Sequence, residues 1–304
     1  MKTKFLIIGG AGFIGTNLAE CLIEAGHSVV VADDLSAGDN SARLPKEVDF
    51  HKLDVRDTKE LTDVCSGVDV IVHLAALPRV EFSIQHPQEA HDVNVNGTLS
   101  VLEAARSAGV KRVVFAASSA AYGDQQNLPL SLGLSVQPKS PYALHKYMGE
   151  QMMKLWSQIY GIETVSLRFF NVYGSHMDPH GAYALVIGRF LNLAVEGKPL
   201  TITGDGEQTR DFVHVKDVAE AIIKASAIET VGKGEVFNIG SGAETTVNEV
   251  AKLIGGDIEY VAARLEPKRS VADITETKNR LDWEATISLE EGITSLKHEV
   301  GLKD

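Results

Sequence analysis

An apolar run leads directly into closely spaced glycines near the start of the chain, in the stretch KFLIIGGAGFIGTNLAECLIEAG at residues 4–26. A continuous apolar run is typical of a strand that is covered on both faces of a parallel sheet. Ile14, Leu18 and Leu22 then recur every four residues, which predicts an amphipathic helix. The free amides at the start of such a helix favour a phosphate group. The stretch therefore predicts a strand–turn–helix unit that binds a diphosphate.

Three glycines in this turn are expected to have separate roles. Gly9 permits the tight turn, Gly12 lets a pyrophosphate approach the backbone, and Gly15 lets the helix pack on the sheet. Asp33 follows at the end of the next apolar run, at the spacing of about 20 residues that is typical of a carboxylate binding ribose hydroxyls. A carboxylate repels a 2′-phosphate, and no arginine follows until Arg43. The pattern therefore favours NAD over NADP.

Strand-like apolar runs alternate with helical patterns through the first half of the chain. The runs lie at residues 5–8, 29–32, 70–74, 113–117 and 164–169, and helices are predicted near 87–108 and 142–160. This alternation predicts an α/β fold with a doubly wound parallel sheet of the Rossmann type. Beyond residue 171 the elements become shorter and less regular. We therefore expect an NAD-binding Rossmann domain at residues 1–170 and a smaller α/β lobe for the substrate at residues 171–304, with some segments near 212–240 packed back on the first domain.

Composition and charge narrow the class of protein. The 304 residues include 44% hydrophobic and 23% charged residues and carry a formal charge of −12, as in an ordinary globular protein. An acidic surface repels nucleic acid and anionic membranes, so we expect neither as a partner. Cys21 and Cys65 cannot build a disulfide framework, and no Cys/His spacing suggests zinc. We therefore expect no metal site and a reducing, cytoplasmic location.

A tyrosine and a lysine lie four residues apart at the start of the predicted long helix. Tyr142 and Lys146 therefore share one helix face, about 6 Å apart. One positive charge at that distance lowers a phenol pKa by about 2 units, so Lys146 together with an oxidised nicotinamide would bring the pKa of Tyr142 near 7. Such a phenol can take a proton from a hydroxyl as hydride leaves the same carbon. The pair's position downstream of the glycine turn favours this catalytic interpretation over a structural one.

Two serines are expected at the carboxyl end of the neighbouring strand, where ligands of such sheets bind. The hydroxyl of Ser118 or Ser119 could hydrogen-bond the reacting oxygen and pass its proton to Tyr142. A serine at a strand end also commonly satisfies a turn. Both interpretations stay open for each serine.

Together these residues resemble the extended short-chain dehydrogenase/reductase superfamily, and within it the NAD-dependent nucleotide-sugar 4-epimerases. The motifs that carry the resemblance span nearly the whole chain and lie at residues 9–15, 53–55, 73–76, 94–98, 118–123, 140–146, 168–174 and 204–212. The resemblance implies an enzyme with a tightly bound, recycled NAD and a UDP-sugar substrate. It also implies a homodimer formed through the helices near residues 87–108 and 142–160.

The resemblance assigns site residues as well. Those expected to bind NAD are Gly9, Gly12, Phe13, Ile14, Gly15, Asp33, Asp54, Val55, Leu74, Ala75, Ala76, Tyr142, Lys146 and Phe170. Those expected to bind the nucleotide sugar are Ser118, Asn171, Arg210, Arg264 and Ser270. Arg210 also fits on chemical grounds, because a guanidinium fork matches diphosphate oxygens. An ion pair with Asp211 is the alternative for Arg210, and the spacing around Arg264 departs from the usual family pattern.

The choice within the superfamily depends on a missing carboxylate. The related 4,6-dehydratases and uronate decarboxylases carry an acidic residue in the stretch that is here Ser-Ser-Ala-Ala-Tyr-Gly at residues 118–123. Its absence favours C4 inversion through a transient 4-keto sugar. By the resemblance, Ser270 lies where the family gates its sugar pocket, and a small side chain there leaves room for a C2 acetamido group. An ordinary loop serine is the alternative for Ser270, and relatives with a small residue there can also act on plain hexoses. The UDP-glucose/UDP-galactose pair and the UDP-GlcNAc/UDP-GalNAc pair both stay open.

Other functions also stay open. A nucleotide-sugar dehydrogenase or reductase would consume external NAD(H), and an epimerase could act on another nucleotide sugar. A non-catalytic dinucleotide-sensing module would be expected to lose the Tyr142/Lys146 pair, which is present here. Pro78 stands where the family often has a lysine, and Val93 stands where an asparagine can contact the cofactor, so both positions are candidates for altered cofactor affinity.

Overall fold

The computed structural model describes residues 2–177, 186–263 and 268–302. Its strands are β1 (Lys4–Ile8), β2 (Ser28–Asp33), β3 (Asp49–Lys52), β4 (Val70–His73), β5 (Arg112–Ser118), β6 (Glu163–Phe169), β7 (Asn171–Tyr173), β8 (Leu200–Thr203), β9 (Thr209–Arg210), β10 (Phe212–His214), β11 (Lys233–Ile239), β12 (Thr245–Thr246) and β13 (Ile258–Val261). Its α-helices are α1 (Phe13–Glu24), α2 (Thr58–Val64), α3 (Val80–Gln85), α4 (Pro87–His91), α5 (Gly97–Ala108), α6 (Pro141–Tyr160), α7 (Val186–Val195), α8 (Val215–Ala227), α9 (Val247–Ile254), α10 (Thr275–Leu281) and α11 (Leu289–Glu299). Short 3-10 turns lie at Ser41–Arg43 and Ser119–Tyr122, and a π-helical segment at Asp92–Asn96 joins α4 to α5.

Seven parallel strands form the central sheet in the order β11–β6–β5–β4–β1–β2–β3. The predicted α/β fold with a doubly wound sheet is therefore confirmed. The strand order reverses between β1 and β4, because β2 and β3 lie on one side of β1 and the later strands lie on the other. A reversal of this kind opens a cleft at the carboxyl ends of the strands.

Strand β1 is apolar from Phe5 to Ile8 because both of its faces are buried there. Phe5 and Ile7 pack in the core beneath α1 and α8, whereas Leu6 and Ile8 pack in the opposite core beneath α2, α5 and α6. Alternate side chains of a strand point to opposite faces, so helices on both sides require a continuous apolar run.

The later part of the chain contributes to two cores. β11 extends the central sheet beyond β6, and α8 packs against α1. The pairs β7/β10, β9/β12 and β8/β13 form small separate sheets. Helices α7, α9 and α11 surround a further core that includes Phe190, Val250 and Ile293. The division into domains at residues 170 and 171 stays a prediction.

Two elements of the first half differ from what the sequence suggested. β3 reads Asp-Phe-His-Lys and lies at the edge of the sheet, so it lacks the apolar run of a fully buried strand. The helix predicted over residues 87–108 is divided by the π-helical segment. That segment carries Asn94, whose side chain accepts from the Leu77 amide at 2.7 Å and donates to the Leu77 carbonyl at 3.2 Å. Such π-helical turns often accompany functional sites.

The described ranges contain both cysteines, Cys21 and Cys65. No helix there has the length and apolarity needed to cross a bilayer. No group of three or more His, Cys, Asp or Glu side chains in those ranges is arranged to hold a metal ion. Cys21 is half-buried and Cys65 is buried, and both are free thiols.

Candidate active site

Several of the predicted site residues lie at the carboxyl edge of the central sheet. The glycine turn follows β1, Leu74 to Ala76 follow β4, Ser118 ends β5, and Phe170 follows β6. The turn and the segment after β4 touch, because a Cβ added to Gly9 would lie 2.5 Å from the Ala75 amide nitrogen. Ser118 is paired in register with Phe169, the residue before Phe170. One cleft therefore borders all four segments.

The glycine turn is closed by backbone contacts that only glycine permits. Gly9 adopts a left-handed φ of +83°, and its amide donates to the Ala32 carbonyl at 2.8 Å. A Cβ on Gly15 would lie 2.5 Å from Gly10 Cα, so Gly15 allows the turn to fold against its own helix. A Cβ on Gly12 would meet only the Gly9 carbonyl oxygen, at 3.3 Å. The side of Gly12 that faces the cleft is thus open to a ligand.

Helix α1 presents its first amides to this cleft. Gly12 is its N-cap, no side chain in the described part of the chain caps it, and no acidic residue lies in its first turn. Phe13 and Ile14 begin the helix and are half-buried. Uncapped amides and the positive end of the helix dipole fit a diphosphate.

Asp33, the last residue of β2, is hydrogen-bonded to the glycine turn. Its carboxylate accepts from the Ala11 amide at 3.0 Å and from the Leu35 amide at 2.8 Å. Burial raises the pKa of Asp33, and the two amide hydrogen bonds lower it in part. Each carboxylate oxygen accepts more than one hydrogen bond, so ribose hydroxyls can still be bound beside these amides.

The carboxylate of Asp54 is engaged by a neighbouring arginine. Arg56 Nε donates to Asp54 Oδ1 at 2.9 Å, and its Nη1 donates to Asp92 at 2.8 Å. The hydrogen bond from Arg56 is the main reason why the pKa of Asp54 is lowered. Val55 is buried against Gly97, where an added Cβ would lie 2.7 Å from a Val55 methyl group. Contact of Asp54 and Val55 with NAD stays a prediction.

Tyr142 and Lys146 lie together at the start of α6. Lys146 Nζ is 5.9 Å from the centre of the Tyr142 ring, close to the predicted spacing. The ammonium group is buried, donates to the Ala116 carbonyl at 2.8 Å and lies 5.0 Å from the centre of the Phe115 ring. Lys146 is therefore held at the end of β5, beside the phenol.

Burial controls the ionisation of this pair in the chain alone. It lowers the pKa of Lys146 to about 8. It raises the pKa of Tyr142, and a hydrogen bond with Ser118 lowers that pKa only in part. Desolvation opposes ionisation of a buried phenol and so works against the positive charge of Lys146. A phenol pKa near 7 therefore depends on the additional positive charge of the oxidised cofactor.

The two serines occupy different positions. Ser118 is the N-cap of the following 3-10 turn, and its Oγ accepts from the Ala120 amide at 3.2 Å. Its hydroxyl also lowers the pKa of Tyr142. Ser119 is half-buried in the first position of that turn. Of the two serines, Ser118 is therefore the one that influences the ionisation of the Tyr142 phenol.

The predicted substrate residues Asn171 and Arg210 lie in β7 and β9, and Ser270 precedes α10. Phe170, which was predicted to border the cofactor, follows β6. Phe170 is buried against Tyr122, and the Asn171 side chain donates to the Asp211 carbonyl at 3.1 Å. Arg210 lies in β9 and donates to the Thr209 carbonyl at 2.8 Å. Ser270 is half-buried. Arg264 lies outside the described residues.

Two buried polar residues support the site without having been predicted from the sequence. Ser83 Oγ accepts from the Tyr142 amide at 3.1 Å, which satisfies an amide in the first turn of α6. His73 Nε2 lies 3.0 Å from Thr98 Oγ1, which donates to the Asn94 carbonyl. Burial lowers the pKa of His73 to about 3, so this ring is neutral. No local pattern marks Ser83, because its partner lies 59 residues away.

Known proteins resemble this chain over nearly its whole length. Residues 5–240 match the NAD dependent epimerase/dehydratase family. A putative UDP-glucose 4-epimerase from Methanocaldococcus jannaschii is 39% identical over 298 residues, which is 95% of each chain. The crystal structure of a UDP-glucose 4-epimerase from Thermotoga maritima with UDP-glucose gives a TM-score of 0.90 at 35% identity and covers 96% of each chain. A UDP-N-acetylglucosamine 4-epimerase from Methanobrevibacter ruminantium, in complex with UDP-N-acetylmuramic acid, gives a TM-score of 0.91 at 31% identity and covers 98% of this chain and all of its own.

Proposed function

Because the chain belongs to the NAD-dependent epimerase/dehydratase family, we propose that it is a UDP-hexose 4-epimerase that inverts C4 through a transient 4-keto sugar. The observation that carries this proposal is the cluster of Tyr142, Lys146 and Ser118 beside a dinucleotide-binding turn. A phenol, a hydroxyl and an ammonium suffice to move one proton to and from a sugar oxygen. The stretch at residues 118–123 offers no carboxylate for expelling a further hydroxyl.

The residues of the cleft fit NAD. Gly12 and the first amides of α1 would hold the diphosphate, and Asp33 would bind the adenosine ribose. Leu74 to Ala76 and Phe170 would border the remaining part of the cofactor. When bound, NAD supplies an acceptor and donor of hydride at C4 of the sugar. Because each turnover restores the cofactor, we propose that it stays bound between cycles.

The side chains of this protein would handle the proton and orient the sugar. Ser118 lowers the pKa of the Tyr142 phenol and would pass on the C4 hydroxyl proton to it. Tyr142 accepts that proton when the sugar is oxidised and returns it when the ketone is reduced. Lys146, fixed by the Ala116 carbonyl, places its ammonium beside the phenol and favours the phenolate. Rotation of the 4-keto sugar in the cleft presents its other face and gives the inverted product.

The substrate would be held from the opposite side of the cleft. Arg210 and Asn171 would bind the diphosphate of the UDP-sugar, and Arg264 is proposed as a second arginine for it. Ser270 would border the sugar at C2. The first test is NMR of the purified protein with UDP-galactose and, separately, UDP-GalNAc, with no cofactor added. We expect the gluco epimer to form; absence of conversion even with NAD supplied would reject UDP-hexose epimerisation, and stoichiometric NADH use would indicate a reductase.

A homodimer is proposed through α5 and α6. Leu99 on α5 and Leu144, Leu155 and Ile159 on α6 are large apolar side chains with at least 39% of their surface exposed. Exposed apolar patches of this kind are typical of protein interfaces. We further propose a cytoplasmic location on the basis of the two free cysteines.

Ser270→Tyr is expected to lower kcat/KM for UDP-GalNAc by at least about tenfold while leaving the value for UDP-galactose within about threefold, because a bulky ring removes the space for the acetamido group. Steady-state kinetics on both sugars measure this. Ser66→Tyr, at an exposed position between α2 and β4, is the matched control. Equal losses on both sugars would contradict the gating role of Ser270.

A further inference from the structure

The Asp211 carboxylate is fully buried between three chain segments. Its Oδ1 accepts from the Ser241 amide at 2.6 Å and from Ser241 Oγ at 2.7 Å. Its Oδ2 accepts from the Gly242 amide at 3.0 Å and from the Ala272 amide at 2.9 Å. These four hydrogen bonds join the ends of β9 and β10 to the turn after β11 and to the segment that precedes α10.

The donors that hold this carboxylate are all neutral, and three of the four are backbone amides. Burial raises the pKa of Asp211, and the same hydrogen bonds lower it. Burying a carboxylate is costly without close hydrogen bonding. The sequence left open an ion pair between Asp211 and Arg210, but these contacts assign the carboxylate a different task.

Close approach of the three segments depends on Gly240. A Cβ at this position would lie 2.7 Å from Asp211 Oδ2 and 2.8 Å from Ala272 Cβ. The glycine therefore lets the carboxylate reach the Ala272 amide. Such packing leaves little freedom for the segments to shift relative to one another.

Apart from Ser118, the described residues that we expect to bind the nucleotide sugar are all close to Asp211, either along the chain or through a hydrogen bond. Arg210 precedes it directly. Both the main-chain and side-chain amides of Asn171 donate to the Asp211 carbonyl, at 3.0 and 3.1 Å. Ser270 lies two residues before Ala272, whose amide the carboxylate binds.

We propose that Asp211 is a positioning residue that fixes Arg210 relative to Ser270, and so sets the distance between the diphosphate anchor and the part of the pocket that selects the hexose. This inference rests on the proposed function. Asp211 touches neither the substrate nor the cofactor in this scheme. It acts by holding the residues that do.

The test is Asp211→Asn. In either orientation the new NH2 group faces at least one backbone amide that the carboxylate now binds, so the junction must shift. We expect the Kd for UDP, measured by calorimetry on the purified holoenzyme, to rise by about tenfold or more because Arg210 and Asn171 move. The ratio of kcat/KM for UDP-GalNAc to that for UDP-galactose is expected to move toward one, with KM changing more than kcat.

A matched control is available in Asp217→Asn. Asp217 is also buried and its carboxylate accepts three hydrogen bonds, from the Thr286 amide and hydroxyl and from the Ile287 amide. These bonds do not involve the segments that carry Arg210 and Ser270. A structural effect alone would lower the Tm of both variants and leave UDP affinity and the sugar ratio of both unchanged; that outcome overturns the proposal.

A milder variant covers the case in which Asp211→Asn does not fold. Ser241→Ala removes one of the four hydrogen bonds and keeps the carboxylate, so a rise of about threefold in the Kd for UDP is expected. An unchanged Kd in this variant would overturn the proposal. Failure of the proposed function is distinguishable, because wild-type protein would then leave both UDP-hexoses unconverted while the UDP-binding comparison between variants still reports on Asp211.

Discussion

Tyr142→Phe is expected to lower kcat for the interconversion by about 10³-fold while bound NAD is retained. The substitution removes the oxygen that exchanges a proton with the sugar and leaves the ring in place. The Tyr142 amide keeps its hydrogen bond to Ser83, because that contact is made by the backbone. The start of α6 should therefore keep its position. The measurements are kcat by NMR for both directions and the cofactor released from denatured protein.

Tyr147→Phe is the matched control, since Tyr147 is also half-buried and lies five residues later on the same helix. It is expected to keep kcat within about twofold of the wild type. A loss of less than about tenfold in Tyr142→Phe would mean that another group accepts the proton. Ser118→Ala, with an expected loss of about 10²-fold, then shows whether the serine is that group.

The central strands that position this site could be predicted from the sequence, because burial on both faces produces a continuous apolar run within each strand. The buried part of a strand with helices on both faces is apolar at successive positions. In β1, Phe5 and Ile7 point into one core, and Leu6 and Ile8 point into the other. β3 lies at the edge of the sheet and is mostly polar, so it has no such apolar run. The short strands of the later part have two to four residues each, and their pairing depends on tertiary contacts that no periodicity records.

The spacing of Tyr142 and Lys146 could also be predicted from the sequence, since residues four apart on a helix share a face. What the sequence could not supply was the environment of the pair. Burial lowers the pKa of Lys146 and raises the pKa of Tyr142. The spacing of the two residues indicates only the effect of the neighbouring charge. The Ser83 contact with α6 is a further example, because it joins residues 59 positions apart.

The hydrogen-bond partners of Asp211 could not be predicted from the sequence either. Its carboxylate binds residues 30, 31 and 61 positions further along the chain. From the sequence, an ion pair with Arg210 was only the alternative to diphosphate binding by that arginine. Only the crossing of three segments, permitted by Gly240, explains why a carboxylate is buried there.

The buried ammonium of Lys146 lowers the folding stability of the protein, although the proposed reaction requires it. Its side chain is buried, and its pKa of about 8 lies below its ordinary value near 10.5. Below pH 8 the group is protonated in both the folded and the unfolded state, and its burial then costs about 3 kcal/mol of folding free energy. Between pH 8 and 10.5 the unfolded state binds more protons, so this cost disappears as the pH rises.

Lys146→Met is therefore expected to abolish turnover and yet to stabilise the cofactor-free protein at pH 7 by about 2 kcal/mol, the relief of burial less about 1 kcal/mol for the hydrogen bond lost at the Ala116 carbonyl. At pH 10.5 the stabilisation should be gone. Urea unfolding of both proteins across this range measures the difference. Lys154→Met, at an exposed position of the same helix, should show no such pH-dependent gain. If Lys146→Met is less stable than the wild type at pH 7, or if the difference stays constant with pH, Lys146 is not held as a destabilised cation beside Tyr142.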